Sequence, residues 1–131
     1  MRSLLFDTVS ILRWGQGRVP RPVQRLVQRP DTVVYLSAVS PWEFRLKPQL
    51  SKGGWTRRNL LELAFDHLSA TVLPVTLQHT EEFDQLPQFM EHTDPFDRML
   101  IAQAMAEGYT LVSPDTRFPL YEPHGLKLLW E

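Results

Sequence analysis

Asp94 and Asp97 stand three residues apart at the head of the stretch His92-Thr93-Asp94-Pro95-Phe96-Asp97-Arg98-Met99-Leu100-Ile101-Ala102-Gln103-Ala104, a spacing that puts both carboxylates on the first turn of one helix. The positive end of the helix dipole favours acids there, so the pair alone decides little. Three other lone acids give it weight. Asp7 closes the apolar run Leu4-Leu5-Phe6, Glu43 follows Ser40-Pro41-Trp42, and Asp115 closes Leu111-Val112-Ser113-Pro114. If the apolar runs are parallel strands, Asp7 and Asp115 lie just beyond carboxyl ends, where open α/β sheets bind ligands. Glu43 and Asp97, on first turns of helices, then reach the same edge. Four carboxylates in one cleft repel each other until protons or a cation relieve them. An oxygen-only donor set suits Mg²⁺ or Mn²⁺.

Simpler readings exist for most of these acids. Glu43 completes a capping box with Ser40, with Pro41 at the first helical position. Asp94 is an N-cap, Asp97 complements the helix dipole, and Asp115 is a turn residue beside Pro114. Asp7 has no such reading, since an acid that ends a core strand needs a reason to be there. Capping and ligation are also compatible, because a carboxylate held at a helix start is already aimed.

The elements that must position these groups are legible in the punctuation. Leu4–Phe6 and Thr32–Ser37 read as strands, the second rich in β-branched residues. Thr8–Trp14 reads as a helix with Val9, Leu12 and Trp14 inward, stopped by Gly15-Gln16-Gly17. A short helix after Pro20-Arg21-Pro22 carries Val23, Leu26 and Val27 and stops at Pro30. The helix opened at Ser40 ends before Pro48. Arg57–Leu68 is amphipathic, residues 72–75 are extended, and Thr76 caps a helix bearing Leu77, Phe83 and Leu86 that Pro87 ends. The helix capped by Asp94 runs to Gly108, and strands at 110–113 and 126–130 follow. Alternating strands and helices predict parallel pairing in one α/β domain spanning residues 1–131.

Composition narrows the class. In 131 residues, 43% are hydrophobic and 22% charged, which predicts a globular protein with a real core. No apolar run reaches the roughly 20 residues of a membrane span, and Met1-Arg2-Ser3-Leu4 enters a strand instead of a signal peptide, so a cytoplasmic location with no membrane contact is expected. The absence of cysteine excludes disulfides, thiolate chemistry and Cys-type zinc sites. The net charge of −1 conceals +8 over residues 1–58 and −9 over residues 59–131. Arg13, Arg18, Arg21, Arg25 and Arg29 run without an intervening acid, either a solvated helix face or a surface for a polyanion.

Taken together, Leu4-Leu5-Phe6-Asp7-Thr8, Leu36-Ser37-Ala38-Val39-Ser40-Pro41-Trp42-Glu43, the Asp94–Ala104 stretch, Thr110-Leu111-Val112-Ser113-Pro114-Asp115 and the closing Leu128-Leu129-Trp130 resemble the PIN-domain family, specifically its VapC-like toxin branch. The resemblance implies a PIN-like three-layer α/β/α sandwich with a central parallel sheet. It implies that Asp7, Glu43, Asp97 and Asp115 are the catalytic, metal-binding acids, that Asp94 is an auxiliary metal-site acid, and that Thr8 or Ser113 orients a carboxylate. The implied activity is that of a Mg²⁺- or Mn²⁺-dependent endoribonuclease leaving 5′-phosphate and 3′-hydroxyl ends, toxin of a toxin–antitoxin pair. An RNA substrate, a cognate antitoxin and a homodimer are the implied partners. Val9, Arg45, Pro41, Pro48 and Pro114 depart from the branch's usual residues without removing an acid.

Arg13, Lys47 and Arg98 are the leading candidates for substrate phosphates, with Arg18, Arg21, Arg25 and Lys52 behind them. Trp42, flanked by apolar residues, is expected in the core, whereas Trp55 beside Gly53-Gly54 is a candidate for base stacking, as is Trp14. His67, His79, His92 and His124 are bystanders by default, although His92 lies near enough to Asp94 to support a ligand. Two rivals remain. A non-catalytic RNA- or protein-binding PIN module predicts a missing acid, and a Mg²⁺-dependent phosphotransfer domain predicts a second acid beside Asp7, where Phe6 and Thr8 stand.

Overall fold

A computed structural model describes residues 2–131. Five strands form one all-parallel sheet: β1 (Arg2–Phe6), β2 (Thr32–Ser37), β3 (Thr71–Leu73), β4 (Thr110–Val112) and β5 (Lys127–Leu129), in the order β3-β2-β1-β4-β5. The helices are α1 (Thr8–Gly15), α2 (Arg21–Val27), α3 (Val39–Leu46), α4 (Arg57–Glu62, continuing into a π-turn at Leu63–His67), α5 (Leu77–Gln85) and α6 (Pro95–Glu107). They cover both faces, giving the three-layer α/β/α sandwich of the PIN-like type.

The apolar run of β1 is continuous because both faces are buried. Leu4 and Phe6 join Ile11, Leu12, Val34, Leu36, Leu60 and Val112 on one side. Leu5 joins Leu100, Ile101, Ala104, Leu111, Phe118 and Tyr121 on the other. Each fully buried Leu, Ile or Phe contributes about 1.5–3 kcal/mol. No helix among the described residues is long and apolar enough to cross a membrane.

Several local expectations change. Helix α3 begins two residues early, with Ala38 as its cap and no side-chain capping bond, because the Ser37 hydroxyl already accepts from the Val39 amide at 3.1 Å. Ser40 therefore forms no capping box, and Glu43 sits on the second turn. Val9 lines a cleft instead of the core. Leu77 is exposed, and so is Trp42 at 59%. Trp42 meets Phe96 edge-on at 4.8 Å between ring centroids. Trp55 packs, partly buried, against the α1/α4 core, and Trp14 is partly buried with an edge contact to Phe6. Gly15 is the last residue of α1, and its role is clearance: a Cβ there would sit 2.7 Å from Leu63 Cδ1 and 2.9 Å from Trp55 Cη2. At Gly108 the left-handed φ of 73° ends α6 as expected.

Candidate metal centre

The strand order reverses direction between β1 and β4, and the carboxyl ends of those two strands flank the crevice where such sheets hold ligands. Asp7 follows β1 as the cap of α1. Its carboxylate accepts from the Ser10 amide at 2.8 Å, and its own amide donates to the Val112 carbonyl at 3.1 Å. The Ser10 hydroxyl also donates to that carbonyl, at 2.7 Å, locking α1 onto β4. Asp115 leaves the end of β4 through a turn in which its amide donates to Ser113 Oγ at 3.1 Å. Asp94 caps α6, accepting from the amides of Phe96 at 2.8 Å and Asp97 at 3.0 Å.

These elements line an open cleft of about 520 Å³ with Asp7, Glu43, Asp94, Asp97 and Asp115. Oxygens of Glu43, Asp94 and Asp97 lie within 4.8 Å of one another, as do ligand atoms of His92, Asp97 and Asp115. Like charges at such a distance repel by about 3–4 kcal/mol per pair at an effective dielectric constant of about 20. The cleft answers this repulsion in part. Lys47 Nζ donates to Glu43 Oε2 at 2.7 Å and also to Asp94 Oδ2. Arg117 forks onto Asp115 through Nε at 3.1 Å and Nη2 at 2.8 Å, and approaches Asp97 to 3.9 Å. Arg13 is the third cation in the lining, so five carboxyl groups face three positive charges.

Proton affinities follow that imbalance. Burial pushes the Asp7 carboxyl up to about 6, against the opposing bonds from Ser10 and Ser113. Burial, then the charges of Asp94 and Glu43, push Asp97 up to about 8. Burial also acts on Asp94 and Asp115, but the Lys47 bond and two amides outweigh it at Asp94, and Arg117 outweighs it at Asp115, so both stay below the usual carboxylate range. Asp97, and to a lesser degree Asp7, thus hold protons that relieve part of the excess negative charge. A divalent cation would supply the same neutralisation, and the carboxylate donor set, all oxygen, fits Mg²⁺ or Mn²⁺.

The expected set is thus brought together, with adjustments among its supports. Thr8 donates its hydroxyl to Glu43 Oε1 at 2.6 Å, so it orients Glu43 and not its neighbour Asp7. Ser113 lies near enough to Asp7 to oppose the rise in its proton affinity, while its hydroxyl accepts from the Asp115 amide. Of the basic segment from Arg13 to Arg29, Arg13 alone lines the cleft, and Lys52 lies outside it. Lys47 is in the cleft but held by carboxylates. Arg98 is not a phosphate contact: it is 5% exposed, donates to the Pro87 carbonyl and the Tyr121 hydroxyl, both at 2.9 Å, and lies over the Phe83 ring. His92 is no bystander, since its Nε2 is 3.3 Å from Asp97 Oδ2. Arg117 escaped the sequence reading, although its place two residues after a strand-end acid was a usable signal.

Residues 4–122 match the PIN domain family. This chain is a PIN domain. No curated protein sequence matches it significantly. Solved structures agree on the fold. A VapBC2 structure from Rickettsia felis bound to a promoter DNA fragment is similar with a TM-score of 0.70 at 16% identity, covering 98% of this chain and 99% of that one. DNA-bound VapBC from Salmonella typhimurium gives 0.70 at 16%, covering 98% of each chain. VapBC-5 from Mycobacterium tuberculosis, of the VapBC family of toxin-antitoxin systems, gives 0.67 at 15% with both chains fully covered.

In this PIN domain Lys47 occupies charge space that a metal ion would need. Lys47→Met should therefore tighten Mn²⁺ binding severalfold in a calorimetric titration, while lowering the melting temperature of the EDTA-treated protein. Unchanged affinity would show that the ammonium does not compete for Glu43 and Asp94.

Proposed function

We propose that this PIN domain is a divalent-metal-dependent endoribonuclease acting in the cytoplasm as the toxin of a toxin–antitoxin pair. The observation that carries the reading is the convergence of Asp7, Glu43, Asp97 and Asp115, with Asp94 beside them, on one open cleft at the sheet's switch point. The family and the fold shared with VapBC proteins support it. Asp7, Glu43, Asp97 and Asp115 would hold Mg²⁺ or Mn²⁺, with Asp94 auxiliary. When bound, the ion supplies a water acidic enough to attack phosphorus in line and positive charge for the leaving oxygen. Thr8 holds the Glu43 carboxylate in orientation and the Ser10 amide holds that of Asp7, with Ser113 beside it. Arg13 and Arg117, at the rim, are placed to receive the phosphates of a single strand. Lys47 joins them once it leaves Glu43. The charge pattern of the cleft also suits an antitoxin that inserts a basic side chain among the acids.

Cleavage is tested by incubating the chain with single-stranded RNA in Mn²⁺, Mg²⁺ or EDTA. Cuts with 5′-phosphate ends that EDTA abolishes are expected. RNA binding without cleavage in either metal would favour a non-catalytic binding module.

A homodimer is part of the proposal. Val39, Trp42, Val75, Phe83, Pro95, Phe96 and Met99 line an apolar groove of about 240 Å³. Trp42→Asp should convert a dimer to a monomer in light scattering without unfolding it, because the indole is largely exposed. A wild-type monomer at micromolar concentration would contradict this part.

A further inference from the structure

The polar atoms behind Asp97 form a chain whose direction is fixed at its root. Arg98 Nη1 donates to the Tyr121 hydroxyl at 2.9 Å, and a guanidinium can only donate. The Tyr121 oxygen, having accepted that bond, directs its single proton to the other neighbour, His92 Nδ1, at 2.8 Å. An Nδ1 that accepts leaves the neutral ring's proton on Nε2. That nitrogen faces Asp97 Oδ2 at 3.3 Å. All three supporting residues are buried: Tyr121 at 0%, His92 at 1% and Arg98 at 5% exposure. Phe118 and Phe89 hold the rings in place, Phe118 tilted against His92 and Phe89 edge-on to Tyr121.

We propose that Arg98, Tyr121 and His92 form a one-way relay that fixes the Asp97 carboxylate for a divalent cation, with His92 as a positioning residue and not a ligand. The inference rests on the metal-centre reading above. Ligation by His92 would demand a proton-free Nε2, which moves the ring proton to Nδ1. Nδ1–H would then donate to the Tyr121 oxygen alongside Arg98, and the tyrosine proton would lose its partner. The relay gives the Tyr121 hydroxyl proton and both ring nitrogens of His92 a partner, and it engages one carboxylate oxygen of Asp97 on His92 while the other remains for the cleft. Supporting bonds of this kind set ligand orientation, and their loss typically weakens metal binding about 10–100-fold. The relay also explains why Arg98, adjacent in sequence to Asp97, is turned away from the cleft: it anchors the tyrosine, not a phosphate.

The decisive variant is Tyr121→Phe, which keeps the buried ring and removes only the hydroxyl. Mn²⁺ binding by the 131-residue chain, followed by electron paramagnetic resonance, should weaken about 10-fold, with kcat for RNA reduced and KM unchanged. His92→Gln, whose amide can donate near the Nε2 position, should retain most of the wild-type affinity, while His92→Leu should lose at least as much as Tyr121→Phe. Wild-type Mn²⁺ affinity in a folded Tyr121→Phe protein would overturn the relay. So would loss of Mn²⁺ in His92→Gln with affinity intact in Tyr121→Phe, the pattern of direct ligation. Failure of the wild-type chain to bind Mn²⁺ would sink the metal-centre reading itself, a different result from equal binding by wild type and variants.

Discussion

Asp97→Asn should reduce RNA cleavage by about 10²–10³-fold, the usual loss when one group that stabilises developing charge is removed. The same substitution should stabilise the EDTA-treated protein at pH 8 by about 1–2 kcal/mol, because it deletes a buried charge that Asp94 and Glu43 oppose. Asparagine keeps the volume and an oxygen that still accepts from His92. Gain of stability with loss of activity is the signature of a residue retained for chemistry. Parallel thermal melts and cleavage assays check both halves. A variant that is both active and less stable would assign Asp97 a structural role.

Protons and metal should both stabilise the fold and compete for the same carboxylates. Asp7 and Asp97 have folded-state values near 6 and 8, above the ordinary 3.8. Between about pH 4 and pH 8 the folded EDTA-treated protein therefore holds protons that the unfolded chain has released. Its stability falls as pH rises through that window and levels off above it. Asp94 and Asp115 are lowered, so their contribution is lost at the acid end, below the ordinary carboxylate value. Maximum stability without metal is thus expected on the acid side of neutrality. Adding Mn²⁺ should raise the melting temperature more at pH 8 than at pH 5. At pH 7 binding should release about one proton, chiefly from Asp97, measurable by calorimetry in buffers of different ionisation enthalpy. Metal stabilisation equal at both pH values, with no proton release, would show that the carboxyl groups are not the ligands.

Much of this arrangement was readable in one dimension because strong local rules agreed with the tertiary structure. Leu4-Leu5-Phe6 could be continuous only in a strand covered on both faces, and Pro48, Pro87 and Gly108 ended helices where their backbone chemistry required. Asp7 and Asp115 were placed by strand ends alone. Misreadings arose where two local solutions competed. Ser40 and Glu43 had the spacing of a capping box, but the Ser37 hydroxyl reached the Val39 amide first. Trp42 is a large apolar residue between Pro41 and Glu43, and only packing reveals that its ring stays on the surface. Arg98 and Arg117 illustrate the same limit for charge. Successive helix residues diverge by about 100°, so Arg98 had to leave the face that carries Asp97. Arg117 lies in a turn that folds its side chain back onto Asp115. The relay through Tyr121 joins residues 23 positions apart from Arg98 and 29 from His92, separations with no local signature.

The central claim is that acids distant in sequence share one divalent ion, and anomalous diffraction from crystals grown with Mn²⁺ tests it most directly. The account predicts an anomalous peak in the cleft within about 2.0–2.3 Å of carboxylate oxygens from Asp97 and at least one of Asp7, Glu43 and Asp115, with Lys47 displaced from Glu43. A cleft without a peak at millimolar Mn²⁺, with Lys47 still bridging Glu43 and Asp94, would contradict it.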